Sequence, residues 1–323
     1  MAIRKSGIPY LLPGTIDLIS GPGCPVCVTG RQFIDHAIEL SRMPGVIITT
    51  YGDLMRVPGS SSTLGKEKAE GSDIRMVYST MEAFTISRNN PSSKIIFLAI
   101  GFETTTPPTA VAVKQAYDRK ADNFFVLSSH KVMPPAMSAL IDEGVAIDGY
   151  LAPGHVSVIT GSSIYNTIAG KYKKGVVISG FEPVDILQSI YMLVDQIEKK
   201  RPHVAIQYKR AVNPGGNPKA RKVINEVFEP RDDWWRGLGT IGESGLGLKG
   251  KYEHLDAGKV FNVTLPKTRE PAGCICGEIL KGTRKPPECQ LFGKACTPMN
   301  PVGACMVSTE GSCAAHYRYN QYC

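Results

Sequence analysis

The chemistry of this chain is concentrated in its sulfur. It has nine cysteines in 323 residues, and Cys274, Cys276, Cys289, Cys296, Cys305 and Cys313 crowd one stretch near the C-terminus. Their order is C-x-C, followed by gaps of 12, 6, 8 and 7 residues. Cys24 and Cys27 form a separate C-P-V-C pair far upstream. A packed core needs no such convergence, whereas a metal centre needs three or four soft thiolates at one place. The tail can supply four ligands with two thiols left over, and the early pair is a second dithiol. That inventory fits an iron–sulfur centre combined with thiol redox chemistry. Zinc is the alternative, but structural zinc sites usually show two C-x₂₋₄-C knuckles and this tail has one close pair. Neighbouring thiolates in C-x-C reach one metal only with strain, so one binds and the other points elsewhere.

The early pair follows a glycine- and proline-rich turn, Gly21-Pro22-Gly23, and precedes a helix. A thiolate at a helix entry is stabilised by the positive helix end. Lowering a thiol from about 8.5 to about 6 makes it mostly ionised at neutral pH. Burial as two small hydrophobes is the competing reading of Cys24 and Cys27. Other unusual residues stand where strands are expected to end: Glu103 in GFETTTP, His130 in SSHK, His155 in APGH and Glu182 in GFEP. In open α/β sheets such positions form the ligand-binding rim. Glu103 reads as a base, an orienting acceptor or a cap for the helix near Pro108; His155 reads as a rim ligand or a satisfied hydrogen-bonding group.

The elements that must position these groups alternate. Strands are expected at Thr15–Ser20, Gly45–Thr50, Ile74–Tyr78, Lys94–Ile100, Asn123–Leu127, Ile147–Leu151 and Val176–Ser179. Helices are expected at Gly30–Arg42, Pro108–Arg119, Pro135–Glu143 and Pro183–Lys200. Near-continuous apolar strands alternating with amphipathic helices predict an α/β fold with parallel sheets covered on both faces. The division expected is one α/β domain over 1–95, a second over 96–200, and a region over 201–323. Within that last region a helix falls near Lys219–Phe228, a glycine-rich stretch around Trp234–Gly250 wraps over another surface, and the cysteine-rich tail completes it. The net charge of +8 comes without a basic face interleaved with aromatics, which argues against nucleic-acid binding. Neither the phosphate loop G-x-x-x-x-G-K-[ST] nor G-x-S-x-G occurs. The N-terminus, Met1-Ala2-Ile3-Arg4-Lys5, is followed by no apolar signal core, and no membrane-length apolar run exists, so a cytoplasmic address is expected.

GPGCPVC, GFETTTP, SSHKVMPPAM, APGHVS, GFEP and the tail ECQLFGKACTPMNPVGACMVSTEGSCAAHYRY together resemble the hydrogenase maturation factor HypD family across nearly the whole chain. The resemblance implies two Rossmann-like parallel-sheet domains plus a C-terminal iron–sulfur domain. It implies a 4Fe–4S cluster held by Cys274, Cys289, Cys296 and Cys313, with Cys276 and Cys305 as a neighbouring redox pair similar to that of ferredoxin–thioredoxin reductase. Cys24 and Cys27 match the family's second dithiol, and Cys323 matches no motif. The resemblance further implies a scaffold on which transiently bound iron receives cyanide and carbon monoxide for nickel–iron hydrogenase. A HypC-like chaperone and a HypE-like cyanide donor are its implied partners. A free-standing iron–sulfur disulfide reductase is the alternative. Family members carry a C-G-[TG]-H-T motif upstream, whose cysteine is implied to hold the iron. The sequence as given starts after that position, and a chain lacking it is expected to load cluster without supporting maturation.

Overall fold

The computed structural model describes residues 1–319. Cys323 lies outside the described residues. Seven strands form two parallel sheets. The first holds β1 (Val46–Thr50), β2 (Ile74–Met76), β3 (Lys94–Gly101) and β4 (Phe124–His130), in the order β2-β1-β3-β4. The second holds β5 (Gly149–Pro153), β6 (Gly175–Ser179) and β7 (Val204–Ile206), in that order. An antiparallel hairpin, β8 (Phe228–Trp235) and β9 (Gly239–Leu248), follows. The expectation of an α/β protein with two parallel sheets therefore holds.

The strands are continuous apolar runs because both sheet faces are covered. Along β3, Ile96, Leu98 and Ile100 enter one core while Ile95, Phe97 and Ala99 enter another. Helix Arg31–Ser41 lies over the first face with Ile34 and Ile38. Helices Thr80–Asn89 and Thr106–Asp118 cover the second with Phe84, Ala110 and Val113. Burying each large side chain of this kind contributes about 1.5–3 kcal/mol. Helix Met133–Asp142 joins the two sheets: Ala136 and Leu140 belong to the first core, and Met137 packs with Val176 and Ile178 of β6.

Four expectations are corrected. Thr15–Ser20 is not a strand. Its alternation is real, since Ile16 and Leu18 pack near Ile186 and Ile190, but no strand among the described residues pairs with it. The sheets divide the chain between His130 and Gly149, not at residue 95, because β3 and β4 pair in the same sheet as β1. β4 runs three residues beyond Leu127, so Ser128, Ser129 and His130 belong to a strand, and His130 is fully buried with Thr109 3.0 Å from its Nε2. The glycine-rich stretch is no mere wrapping: Gly239, Gly242, Gly245 and Gly247 sit in the paired strand β9. At Gly245 a side chain would run into Asp233 on the opposing strand, 2.5 Å from its Cβ.

Candidate functional site

The hairpin is what completes the early cysteine turn. Cys24 caps the short helix Pro25–Val28, its Sγ accepting the Cys27 N–H at 3.3 Å. Residue Thr29 then bridges to Trp235 at the end of β8. Arg236 donates its backbone N–H to Val28 O at 2.9 Å and a guanidinium N–H to Thr29 O at 3.1 Å. The hairpin is itself pinned to β4. Lys131, 1% exposed, donates from Nζ to Asp233 Oδ2 at 2.9 Å and to Trp234 O at 2.8 Å, and lies over the Trp235 ring. Desolvation lowers the Lys131 pKa, and Asp233 opposes that shift. Trp235 donates to Ser244 Oγ at 2.8 Å and stacks on Phe102, just after β3.

The cysteines divide into bonded and free sets. Cys24 is disulfide-bonded to Cys27 and Cys276 to Cys305, with Cα separations of 5.2 and 6.5 Å. Among the described residues, Cys274, Cys289, Cys296 and Cys313 are unpaired. The two disulfides are neighbours despite their distance in sequence: Cys27 Sγ lies 3.9 Å from the carbonyl oxygen of Ala304, the residue before Cys305. All four bonded cysteines are buried in one core, together with Cys289, Cys296 and Cys313. Arg56 ties this region to the first sheet by donating to Val307 O at 3.0 Å.

Cys274 and Cys313 feel the neighbouring free thiols. Burial raises the Cys274 pKa, and charge on Cys289 and Cys296 adds to the rise while Arg236 opposes it. Burial also pushes Cys313 up, reinforced by Cys296, Cys274 and Cys289. Cys296 Sγ accepts the Val302 N–H at 3.3 Å, and the Cys289 thiol donates to Gly273 O at 3.7 Å. Gly303 leaves the room that Cys274 occupies, since a Cβ there would stand 2.8 Å from its Sγ. Among the described residues, no three His, Cys, Asp or Glu side chains are gathered as they would be on a single metal ion.

The rim residues have separate fates. Glu103 is buried and accepts the Met133 N–H at 3.0 Å, so it caps helix Met133–Asp142 and not the helix near Pro108. Its other oxygen is buried without a hydrogen-bond partner, and desolvation raises its pKa to about 7. His155 lies in helix Gly154–Thr160 on the second sheet, exposed, with its ring 5.0 Å from that of Phe181. Arg236, Lys131 and Asp233, which hold the hairpin in place, were not singled out from the sequence. Lys131 and Asp233 lie 102 residues apart, Arg236 lies 207 residues from Thr29 and 34 from Glu270, and no local pattern marks them.

The HypD family, described as the hydrogenase formation hypA family, matches residues 1–320. This chain belongs to the HypD family. It is 47% identical over 330 aligned residues to hydrogenase maturation factor HypD2 of Bradyrhizobium diazoefficiens, covering 99% of this chain and 87% of that protein. A putative hydrogenase expression/formation protein of Methanocaldococcus jannaschii is 45% identical, covering 99% of this chain and 89% of the relative. Hydrogenase maturation factor HypD of Cupriavidus necator is 44% identical with coverage of 99% and 87%. HypD membership makes this a hydrogenase maturation factor. No helix among its described residues is long and apolar enough to cross a membrane.

Proposed function

We propose that this HypD-family chain is a sulfur-based redox scaffold for building the iron unit of nickel–iron hydrogenase. Cys274, Cys289, Cys296 and Cys313 would hold a 4Fe–4S cluster. The residues fit that group: they are the free thiols of the tail, they share an electrostatic field, and Gly303 leaves space beside Cys274. A zinc ion would draw four sulfurs to within roughly 4 Å of one another around one point, given Zn–S bonds of about 2.3 Å. A cubane takes one cysteine per iron and so accepts a wider set. When bound, the cluster would supply electrons one at a time.

The protein's part is to keep two dithiols dry and adjacent. Cys276 and Cys305 flank the ligand loops and serve as the pair nearest the cluster; Cys24 and Cys27 are the second pair. The contact between Cys27 and Ala304 is the observation that carries this reading, because it brings the two pairs together. Glu103 is assigned the handling of a proton near the end of β3, since a carboxyl at about 7 changes charge near neutral pH. His155 is assigned to the rim of the second sheet, beside Phe181. The cargo is iron carrying two cyanides and one carbon monoxide, and the partners are a HypC-like chaperone and a HypE-like cyanide donor. The C-terminal region is assigned as the iron–sulfur domain, and a reducing, cytoplasmic compartment suits its free thiols.

Anaerobic purification followed by visible absorption and iron counting tests the cofactor. Cys289→Ala is expected to lose most of the colour, whereas Cys276→Ala keeps it and slows electron exchange. Equal bleaching in the two variants would refute the division of ligand and redox thiols.

A further inference from the structure

The two dithiols come from opposite ends of the sequence, and one residue touches the surroundings of both. Arg236 is 3% exposed. Toward the early pair, its backbone N–H and its guanidinium hold the carbonyls of Val28 and Thr29, the residues that close the Cys24–Cys27 turn. Toward the tail, the guanidinium pairs with Glu270, four residues before Cys274, and its charge is felt at Cys274. The next residue, Gly237, meets Gly277 so closely that a Cβ on it would be 2.3 Å from the Gly277 Cα. Gly277 directly follows Cys276. Arg231, by contrast, serves the hairpin through Ser128 O, and Lys131 serves it through Asp233. Neither spans the gap.

We propose that Arg236 is a positioning residue that holds the Cys24–Cys27 turn against the Cys274–Gly277 segment, so that the two dithiols exchange oxidation state within one molecule. This deepens the redox-scaffold reading and rests on it. The exchange is balanced within the chain. With the early pair reduced and the tail pair oxidised, the Cys27 thiolate attacks Cys305 Sγ. The Cys27–Cys305 bond forms as the Cys276–Cys305 bond breaks, and Cys276 leaves as a thiolate. Cys24 then attacks Cys27 Sγ and expels Cys305. Cys24 and Cys27 end oxidised by two electrons, Cys276 and Cys305 end reduced, and the protons released by the first pair are taken up by the second. Attack at sulfur needs close approach and alignment, and a small misplacement costs orders of magnitude in rate.

The test starts from fully reduced chain given one equivalent of diamide. Samples are quenched with iodoacetamide over time, and peptide mass spectrometry reports how the single disulfide partitions between the two pairs. In the unaltered chain the partition is expected to relax at a rate independent of protein concentration. Arg236→Gln should slow that relaxation at least tenfold, and Arg236→Lys should recover part of it. Glu270→Gln removes the tail-side partner at a half-exposed position and should slow relaxation in a chain that still folds. Relaxation at the unaltered rate in both Arg236→Gln and Glu270→Gln overturns the clamp. If the unaltered chain itself shows no relaxation, or relaxes at a rate that rises in proportion to protein concentration, the relay between the pairs within one molecule fails, whatever Arg236 does.

Discussion

Replacing Glu103 with glutamine should change how stability depends on pH, by an amount the burial of the carboxyl sets. Its folded pKa is raised from 4.5 to about 7, chiefly by desolvation. At about 1.36 kcal/mol per unit, that shift is worth ~3.4 kcal/mol. The sign follows from which state holds the proton. Between 4.5 and 7 the folded chain keeps a proton that the unfolded chain has released, so stability falls as pH rises. The contribution is intact below pH 4.5 and lost by the time pH passes 7. Integrated for one group, the penalty is ~0.8 kcal/mol at pH 5 and ~3.3 kcal/mol at pH 8. Glu103→Gln keeps an oxygen for the Met133 N–H and has no proton to release. The stability of the variant relative to the unaltered chain should therefore improve by about 2.5 kcal/mol from pH 5 to pH 8. Urea unfolding at several pH values reads this, followed by tryptophan fluorescence, because Trp235 stacks on Phe102 beside Glu103. Parallel stability curves for the two proteins across that range would refute a carboxyl held neutral by burial.

Two further outcomes follow from the packing. Gly303→Ala places a methyl where Cys274 Sγ stands, 2.8 Å away, and should cut the iron retained after reconstitution by more than half; full loading would remove Gly303 from the site. Asp233→Asn leaves the buried Lys131 ammonium without its counter-charge and should cost about 3–5 kcal/mol in urea unfolding, whereas Lys131→Met should cost clearly less. Equal losses would mean the pair contributes through shape and not charge.

What could be read from the residues alone depended on how local the cause was. β1, β3, β4 and β6 announce themselves because parallel strands covered on both faces must be apolar at nearly every position. Thr15–Ser20 shows alternation, but alternation reports which side chains are covered and says nothing of whether a neighbouring strand exists. β7 was missed because only Val204, Ala205 and Ile206 pair, flanked by polar residues. β8 and β9 were missed because glycine, usually a strand breaker, is required where the hairpin packs closely. For the cysteines, spacing alone left ligands and redox thiols undivided; the family pattern supplied a division. The partners of Arg236 and Lys131 are set by tertiary packing and leave no trace in sequence order.

The Cys27–Ala304 contact joins positions 277 apart, and the Arg236–Thr29 bond joins positions 207 apart. A ribosome adding about 5–20 residues per second needs roughly 15–55 s to pass from the first of those cysteines to Ala304. Throughout that interval the nascent dithiol has no lid and no counterpart. Emergence of that late segment thus acts as a timer, since only then can Cys24 and Cys27 meet the loop that carries Cys305.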